Sequence, residues 1–460
     1  MSSLNSCLGR SGIQDTHHFP IEMAKAPRII VAGGGPVGLY TAHALSKANI
    51  DYVVLEQQPE IIRYKGAGIV LLPQTARLLD QLGILKGVED LSVHLQSKMN
   101  SLYNGQLLVK FRLFEPMEKS HGYPCLGLSR SELIENLYRT LPERETRIRT
   151  NARVIDIESN ASGVRVFLAD GTVEEGSLVI GVDGAHSRTR DIMDRLIRES
   201  TEGVADREPY PMVTHFKAIF GRAPAPKGVE KGLFYEAHGN GVASQTVPGK
   251  EYSYFSILRK LPTPTTARRR YSEKELEEEA ESFADLHLFP DITFGEIWKT
   301  VKRDEVSLVH LEEGIINKWH HGRIVLLGDS VHKMTPISGM GVNTGMQSAA
   351  VLVNQLQSIF SSGSEITTEA LRTAFESYQK TQEPVCRETV MQGEMLTRLI
   401  TWQSWTGWIF DRFIFPWMDL EARVKQQITP VVSKTHVLDY VPFEGRVGTV
   451  PWVNVPKVKV

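Results

Sequence analysis

The sequence predicts an α/β protein in which a nucleotide-binding domain with a parallel sheet is interleaved with an antiparallel β-sheet domain and followed by a helical C-terminal region. Three observations lead to this fold class. A glycine-rich turn near residue 33 separates an apolar run from a helical pattern, two later apolar runs end in Asp or Gly near residues 183 and 329, and alternating strand patterns fill 205–315. Ligands collect at the carboxyl ends of strands in open α/β sheets, so these three positions are candidate parts of one site.

Bulk composition narrows the class of protein. At 460 residues the chain exceeds the size of one compact core, which predicts two or more lobes. The 52 Lys and Arg residues nearly balance the 54 Asp and Glu residues, and without a basic stripe nucleic acid is not the expected partner. The three cysteines form no CxxC, so the sequence predicts neither a metal site nor a redox dithiol, and a reducing cytoplasmic location is the simpler interpretation.

The predicted organisation is discontinuous. No apolar run reaches the ~18 residues of a membrane span, and the N-terminal stretch lacks the apolar region of a secretory signal. The predicted segments are a disordered leader (1–27), a nucleotide-binding domain in three pieces (28–110, 120–204 and 316–390), a substrate domain (205–315) and a C-terminal aromatic helical region with a tail (391–460).

The first element is a strand, glycine turn, helix and strand between residues 28 and 56. Gly33 permits a sharp turn, Gly35 lets backbone N–H groups approach a pyrophosphate, and Gly38 permits close packing of the helix on the strand. The helix N-terminus presents partial positive charge to the phosphates. Glu56 follows about 20 residues later, where a carboxylate accepts hydrogen bonds from a ribose 2′-hydroxyl. This Rossmann-like unit suits FAD or NAD better than NADP.

Arg130 is the second candidate binding residue. Ser129 is a suitable N-cap for a helix with a buried stripe at Leu133, Ile134 and Leu137. A cation in the first turn opposes the helix dipole, so an anionic or carbonyl-rich ligand explains Arg130 better than helix stability does. A surface salt bridge is the alternative.

Two further strand ends carry aspartates. Asp183 and Gly184 follow the apolar run LVIGV, although an Asp-Gly pair also forms ordinary turns. Asp329 follows the strand IVLLG and can bond a ribityl or sugar hydroxyl. Beyond it a glycine turn ending at Gly341 opens a long helix from about Val342, whose first amides can face a flavin carbonyl.

The remaining regions are less specific. Alternation over 205–315 predicts an antiparallel sheet with one exposed face and one face available for a substrate. Trp402, Trp405, Trp408 and Ile409 fall at helical spacing, which favours an aromatic face packed on the protein. A substrate lid or a peripheral membrane contact through 399–418 is the alternative.

Together, the glycine turn, Arg130, Asp183-Gly184 and Gly328-Asp329 resemble the class A flavin-dependent monooxygenases of the para-hydroxybenzoate hydroxylase fold. The stretches LVIGVDGAHSRTR and IVLLGDSVHKMTP are especially similar to the fungal secondary-metabolite branch of that family. The resemblance covers residues 28 to about 358, whereas 205–315 resembles the family only in its strand pattern.

The resemblance implies a set of FAD contacts. Gly33, Gly35 and Gly38 would hold the pyrophosphate, Glu56 the adenosine ribose, and Arg130 the phosphate or ribityl region. The other implied cofactor-binding residues are Gly68, Val70, Asp183, Gly184, Asp329, Gly341 and Val342. Some relatives carry a catalytic Arg where this chain has Lys217, and Tyr235 lies near the position of a family active-site Tyr, so both are candidate catalytic residues. Gln347 and Ser348 stand where relatives often show an acidic residue.

The function implied is that of a FAD-dependent monooxygenase that uses NAD(P)H and O₂ to hydroxylate or epoxidise an apolar small molecule such as a polyketide, terpenoid or indole alkaloid. NAD(P)H is expected to bind transiently, because a second GxGxxG is absent from the sequence. An NAD-dependent dehydrogenase that uses only the first βαβ unit, or a non-oxygenating flavoprotein, is the alternative.

Overall fold

The computed structural model describes residues 27–64, 68–200, 212–363 and 365–458, so the predicted leader lies outside the described residues. The strands, numbered in chain order, are β1 (Arg28–Ala32), β2 (Asp51–Leu55), β3 (Gly68–Leu71), β4 (Val93–Leu95), β5 (Ser97–Leu102), β6 (Leu107–Phe111), β7 (Cys125–Ser129), β8 (Ile148–Arg149), β9 (Val154–Ser159), β10 (Val164–Leu168), β11 (Val173–Gly176), β12 (Leu178–Gly181), β13 (Val213–Pro224), β14 (Leu233–Gly239), β15 (Val242–Pro248), β16 (Tyr252–Thr265), β17 (His287–Phe289), β18 (Ile292–Thr293), β19 (Ser307–Ile315), β20 (His320–His321), β21 (Ile324–Leu326) and β22 (His332–Lys333).

The α-helices follow the same numbering. They are α1 (Pro36–Lys47), α2 (Pro73–Gln81), α3 (Leu85–Leu91), α4 (Glu115–His121), α5 (Arg130–Thr140), α6 (Arg144–Arg147), α7 (Arg188–Ser200), α8 (Glu273–Glu281), α9 (Phe294–Trp298), α10 (Gly341–Phe360), α11 (Thr368–Ile400), α12 (Trp405–Ile409), α13 (Leu420–Arg423) and α14 (Thr429–Ser433). In the described part of the chain, no helix combines the length and apolarity needed to cross a membrane.

The nucleotide-binding sheet has six strands in the order β20-β21-β12-β1-β2-β8. Strand β1 pairs in parallel with β2 on one side and with β12 on the other, and β12 pairs in parallel with β21. The predicted strands near residues 28, 52, 178 and 324 are thus confirmed as neighbours. Their shared direction brings the glycine turn, Asp183 and Asp329 to one edge of the sheet.

A second sheet of eight strands has the order β22-β19-β13-β16-β15-β14-β5-β6. The hairpin predicted around Asn104 and Gly105 forms from β5 and β6, and Gly105 has the positive φ of 82° that such a turn requires. This hairpin joins the large sheet, because β5 pairs in parallel with β14. Residues 97–111 therefore belong structurally with 213–315, although the sequence placed 28–110 in the nucleotide-binding domain.

Both faces of the large sheet are covered at its centre, so the prediction of one exposed face is wrong there. Strands β14 and β15 are buried along their whole length. The far face, which carries Ile219 and Tyr235, packs on aromatic side chains of α9 and of the segment after α8. The near face, which carries Ala218 and Ala243, packs on Ile337 and on Ile400 of α11.

The C-terminal region is continuous with the domain before it. Helix α11 runs through residue 390, where the sequence analysis placed a boundary, and ends at Ile400. The predicted aromatic helix is shorter than expected, because α12 contains only Trp405 and Trp408 of the three tryptophans. Trp402 lies in the preceding turn with a positive φ of 50°.

Candidate cofactor-binding site

The glycine turn packs against the neighbouring strand end without room for side chains. Gly33 has a φ of +124°, and a Cβ atom on it would lie 2.5 Å from the carbonyl oxygen of Val182. A Cβ atom on Gly38 would lie 2.0 Å from the carbonyl oxygen of Gly33. Both positions therefore require glycine, and this close packing sets the N-terminus of α1 at the edge of the sheet, where a phosphate can meet free N–H groups.

Glu56 lies directly beside this turn. Its Oε2 accepts a hydrogen bond from the backbone N–H of Gly34 at 2.8 Å, and its Oε1 accepts one from the N–H of Gln58 at 2.9 Å. Each oxygen keeps a lone pair for a further donor. The carboxylate is thus held in one orientation at the end of β2, where it can accept hydrogen bonds from a ribose.

Arg130 begins α5, and the predicted N-cap is confirmed as a capping box between Ser129 and Glu132. A Cβ atom on Gly35 would lie 3.4 Å from Nη2 of Arg130, so the guanidinium reaches the phosphate-binding turn. Burial lowers the pKa of Arg130, and the carboxylate of Asp329 opposes this shift. Within the described ranges, Arg130 has no hydrogen bond or ion pair with a protein group. Such a cation suits an anionic ligand.

Asp183 is committed to its own turn. Its carboxylate accepts hydrogen bonds from the hydroxyl of Ser187 and from the N–H and hydroxyl of Thr189, the latter two at 2.9 and 3.0 Å. Gly184 follows with a φ of +85°. The backbone before Asp183 is what touches the glycine turn, so this pair shapes the site through the main chain.

Asp329 lies in a 3₁₀ turn, Gly328–Ser330, and its side chain is exposed. The Ser330 hydroxyl donates to the carbonyl of Gly181 at 2.9 Å, and the carbonyl of Ser330 accepts from Nη1 of the buried Arg190 at 2.9 Å. These bonds tie the turn to β12 and α7. Among the described residues Asp329 makes no side-chain hydrogen bond, so its carboxylate can meet a ligand from a rigid turn next to the start of α10.

Asn343 is a site residue that the sequence analysis missed. Its Oδ1 accepts hydrogen bonds from the N–H of Leu72 at 2.9 Å and the hydroxyl of Thr75 at 2.7 Å. Its Nδ2 donates to the carbonyls of Val70 and Gly339, each at 2.8 Å. This fully buried amide joins the end of β3 to the glycine turn before α10. It brings Val70 close to Gly341 and Val342, which begin α10.

The wall beside β3 is apolar. A Cβ atom on Gly68 would lie 2.6 Å from the Cβ atom of Tyr254 on the near face of the large sheet, so β3 packs directly on that face. Val70 belongs to one buried cluster with Phe234 and Val247 of the same face. On this side β3 therefore packs against apolar side chains of the near face.

Lys217 and Tyr235 are not brought to this site. The Nζ atom of Lys217 donates to Glu279 of α8, and the Tyr235 ring packs 4.9 Å from that of Phe289 while its hydroxyl accepts from the N–H of Glu230 at 3.2 Å. Both side chains lie on the far face. Side chains alternate between the faces of a strand, and the sequence did not show which face these two residues occupy.

The chain matches the model of a family described as "FAD binding domain" over residues 27–392. It is 40% identical over 441 residues to the FAD-dependent monooxygenase srdH of Neurospora crassa, covering 93% of this chain and 98% of that protein. It is 32% identical over 436 residues to the FAD-dependent monooxygenase ausM of Penicillium brasilianum, covering 93% and 90% of the two chains.

Solved structures share the fold. HpxO of Klebsiella pneumoniae, complexed with FAD and uric acid, superposes with a TM-score of 0.69 at 20% identity, over 88% of this chain and 95% of that one. FqzB superposes with a TM-score of 0.66 at 17% identity, over 89% and 94% of the two chains.

Proposed function

Because this chain belongs to the FAD binding domain family and to its FAD-dependent monooxygenases, we propose that it oxygenates an apolar small molecule with electrons from NAD(P)H. The observation that carries the proposal is Arg130 beside Gly35, a cation without a hydrogen bond or ion pair among the described residues, near a β3 strand that packs on apolar side chains. Membership of the family excludes the NAD-dependent dehydrogenase considered as an alternative. FAD is the resident cofactor, and the residues present fit it.

Each part of the cofactor has a suitable partner on this chain. We propose that the glycine turn and the N-terminus of α1 hold the pyrophosphate, with Arg130 as its counter-ion. Glu56 binds the adenosine ribose and Asp329 the ribityl chain. The first amides of α10, at Gly341 and Val342, face the flavin ring, and Gly68 and Val70 flank it. The turn at Asp183 and Gly184 supports the glycine turn from behind.

When bound, FAD supplies the redox chemistry that connects NAD(P)H to O₂. The residues of this chain hold the cofactor, orient the substrate and exclude water. Val70, Phe234 and Val247 form one apolar wall, and Ile337 and Ile400 belong to another. An electron-rich double bond or aromatic ring between such walls would be fixed by shape and apolar contact, and water would be kept from the reacting atoms. This supports hydroxylation or epoxidation of a polyketide, terpenoid or indole alkaloid.

The test uses the purified holoenzyme with labelled O₂ and, in separate reactions, NADH and NADPH. A panel of aromatic and prenylated metabolites is supplied, and the products are analysed by mass spectrometry. We expect one labelled oxygen atom in a product that forms only with a reduced nicotinamide. Consumption of NAD(P)H and O₂ with no labelled product from any member of the panel would favour a non-oxygenating flavoprotein.

We also propose that a cytoplasmic enzyme of this kind meets a membrane surface through its C-terminal region. Large apolar side chains are exposed there, with Trp405 at 74%, Phe413 at 54%, Ile414 at 49% and Trp417 at 88%. Two of these side chains, Trp405 and Ile414, line a groove of about 760 Å³ together with neighbouring residues. Aromatic side chains with a nearby cation, here Arg412, are typical of contact with a lipid interface.

Co-sedimentation with phosphatidylcholine vesicles tests this contact. We expect the double variant Trp405→Ser and Trp417→Ser to lose most vesicle binding. The matched control is Val447→Ser with Val455→Ser, because these exposed apolar residues lie outside the proposed surface. Equal binding by both double variants would refute the proposal.

A further inference from the structure

A group of charged side chains is buried on the near face, opposite the far-face Tyr235. Glu236 and His238 of β14 are each 1% exposed, and Asp411 of the C-terminal region is 2% exposed. A buried charge is costly unless it is paired and hydrogen-bonded. The arrangement of their partners therefore decides what this group can do.

Each polar side-chain atom of Glu236 and His238 has a hydrogen-bonding partner. Oε1 of Glu236 accepts from Nζ of Lys98 at 2.7 Å and from Nε2 of His238 at 3.0 Å, while Oε2 accepts from Nε2 of Gln245 at 2.7 Å. Nδ1 of His238 lies 2.8 Å from Oδ2 of Asp411. The same oxygen of Asp411 accepts from Nε1 of Trp402 at 2.9 Å.

These contacts determine the charge state of the imidazole. Both ring nitrogens of His238 face carboxylate oxygens, an arrangement that favours a ring with a proton on each nitrogen and with both as donors. Burial lowers the pKa of His238, but Asp411 and Glu236 outweigh that effect and raise it. Lys98 pairs with Glu236 on its other side. The positive charges of Lys98 and His238 then balance the negative charges of Glu236 and Asp411.

The network joins segments that are distant in the chain. His238 and Asp411 are 173 residues apart, and their bond ties the segment after α11 to the large sheet. Gln245 also donates to the carbonyl of Ile337 at 3.0 Å, in the 3₁₀ turn just before α10. One continuous set of hydrogen bonds therefore connects the C-terminal segment to the turn beside the proposed flavin ring.

Stability alone does not account for such a network, because buried ion pairs are often no better than apolar side chains of similar volume. They can instead select one arrangement of the segments that they join. We propose that His238 is a positioning residue. Its two N–H donors hold residues 401–414 over the part of the FAD site that would contain the flavin ring. Through Glu236 and Gln245 they also hold the Ile337 turn in place. This inference rests on the proposed placement of the flavin ring.

The position of this segment should decide whether electrons from NAD(P)H support oxygen transfer or only reduce O₂ to peroxide. A closed C-terminal segment keeps water from the reacting atoms. When the hydrogen bonds of His238 are lost, NAD(P)H, a proton and O₂ yield NAD(P)⁺ and H₂O₂. Two electrons then reach O₂ and no oxygen atom is transferred to a substrate. Peroxide formation is therefore a readout that needs no identified substrate.

The experiment compares His238→Gln and His238→Lys in the holoenzyme. The glutamine is neutral, whereas the lysine keeps a cation that can donate to both carboxylates. We expect His238→Gln to bind FAD but to be cleaved faster by protease within 401–414 and to form peroxide roughly tenfold faster in the absence of substrate. His238→Lys should restore much of the wild-type behaviour, which a purely structural loss would not do.

Two further variants keep the test decisive. Asp411→Asn removes the negative charge on the C-terminal side of the same contact and should reproduce the effect if His238→Gln fails to fold. Arg259→Gln, the control, removes an ion pair with Glu279 on the far face and should change neither readout. Wild-type cleavage and peroxide rates in both His238→Gln and Asp411→Asn would overturn the proposal, as would an equal effect of Arg259→Gln. Absence of labelled product would instead contradict the proposed function.

Discussion

The two faces of the large sheet hold their charged groups in different ways. On the far face Glu279 pairs with Lys217 and Arg259, whose side chains are 21% and 34% exposed. On the near face Glu236 pairs with Lys98 and His238, whose side chains are 11% and 1% exposed. Solvent screens the first set and scarcely reaches the second. Because Tyr235 and Glu236 are adjacent, a single step along β14 separates an aromatic core residue of the far face from a residue of the buried near-face network.

The largest expected effect comes from removing the central carboxylate of each face. Glu236→Ala leaves Lys98 buried without its carboxylate and His238 with Asp411 alone, which should lower the free energy of unfolding by about 3–5 kcal/mol. Glu279→Ala leaves partners that reach solvent and should cost about 1 kcal/mol. Chemical denaturation of the two variants measures both values. Equal losses would show that the faces do not differ as described.

The second effect concerns the cofactor. Arg130→Met removes the proposed counter-ion of the pyrophosphate, and charge-assisted hydrogen bonds contribute about 1.5–3 kcal/mol, so the Kd for FAD should rise roughly 10- to 100-fold. Arg139→Met on the same helix is the control, because Arg139 is exposed and pairs only with Glu135 among the described residues. Flavin fluorescence titration gives both constants. An unchanged Kd for Arg130→Met would remove this residue from the site.

The third effect is the pH dependence of the near-face network. The raised pKa of His238 means that its contribution to stability is complete below its ordinary value of about 6.5 and is lost as pH rises through the folded-state value. Burial raises the pKa of Glu236, but Lys98 and His238 outweigh it and lower it to about 2, so its contribution is lost only as pH falls from its ordinary value toward 2.

Thermal unfolding of wild type and His238→Gln across pH tests this dependence. The difference in Tm should be greatest near pH 5–6 and should shrink as pH rises beyond the folded-state pKa of His238. A difference that stays constant to alkaline pH would mean that His238 is not protonated in the folded protein.

The smallest effects are expected on the far face. Lys217→Met and Tyr235→Phe should each change kcat/KM for NAD(P)H-dependent turnover by less than about twofold, because neither side chain reaches the proposed site. Steady-state kinetics with a substrate from the metabolite panel, or peroxide formation without one, provides the measurement. A loss of a hundredfold or more in either variant would restore that residue as a catalytic candidate.

Much of the cofactor end was predictable because its determinants are local. The glycine turn, the carboxylate of Glu56 and the cap before Arg130 each depend on residues within one short segment. The candidates on the large sheet were not predictable in the same way. Alternation in 233–239 shows that Tyr235 and Glu236 point to opposite faces, but which face meets the cofactor depends on what packs against each one.

The sequence by itself determined the order of the three nucleotide-binding segments, the glycines that close packing requires, and the membership of a flavin-dependent family. Local spacing and backbone sterics specify the first two features, and the third follows from the resemblance of whole motifs to a known family. Only the tertiary structure decided that the hairpin of β5 and β6 joins the large sheet, that Asn343 connects β3 to α10, and that His238 meets Asp411 across 173 residues. Such contacts leave no periodic signal, because they arise from segments that meet only when the chain has folded.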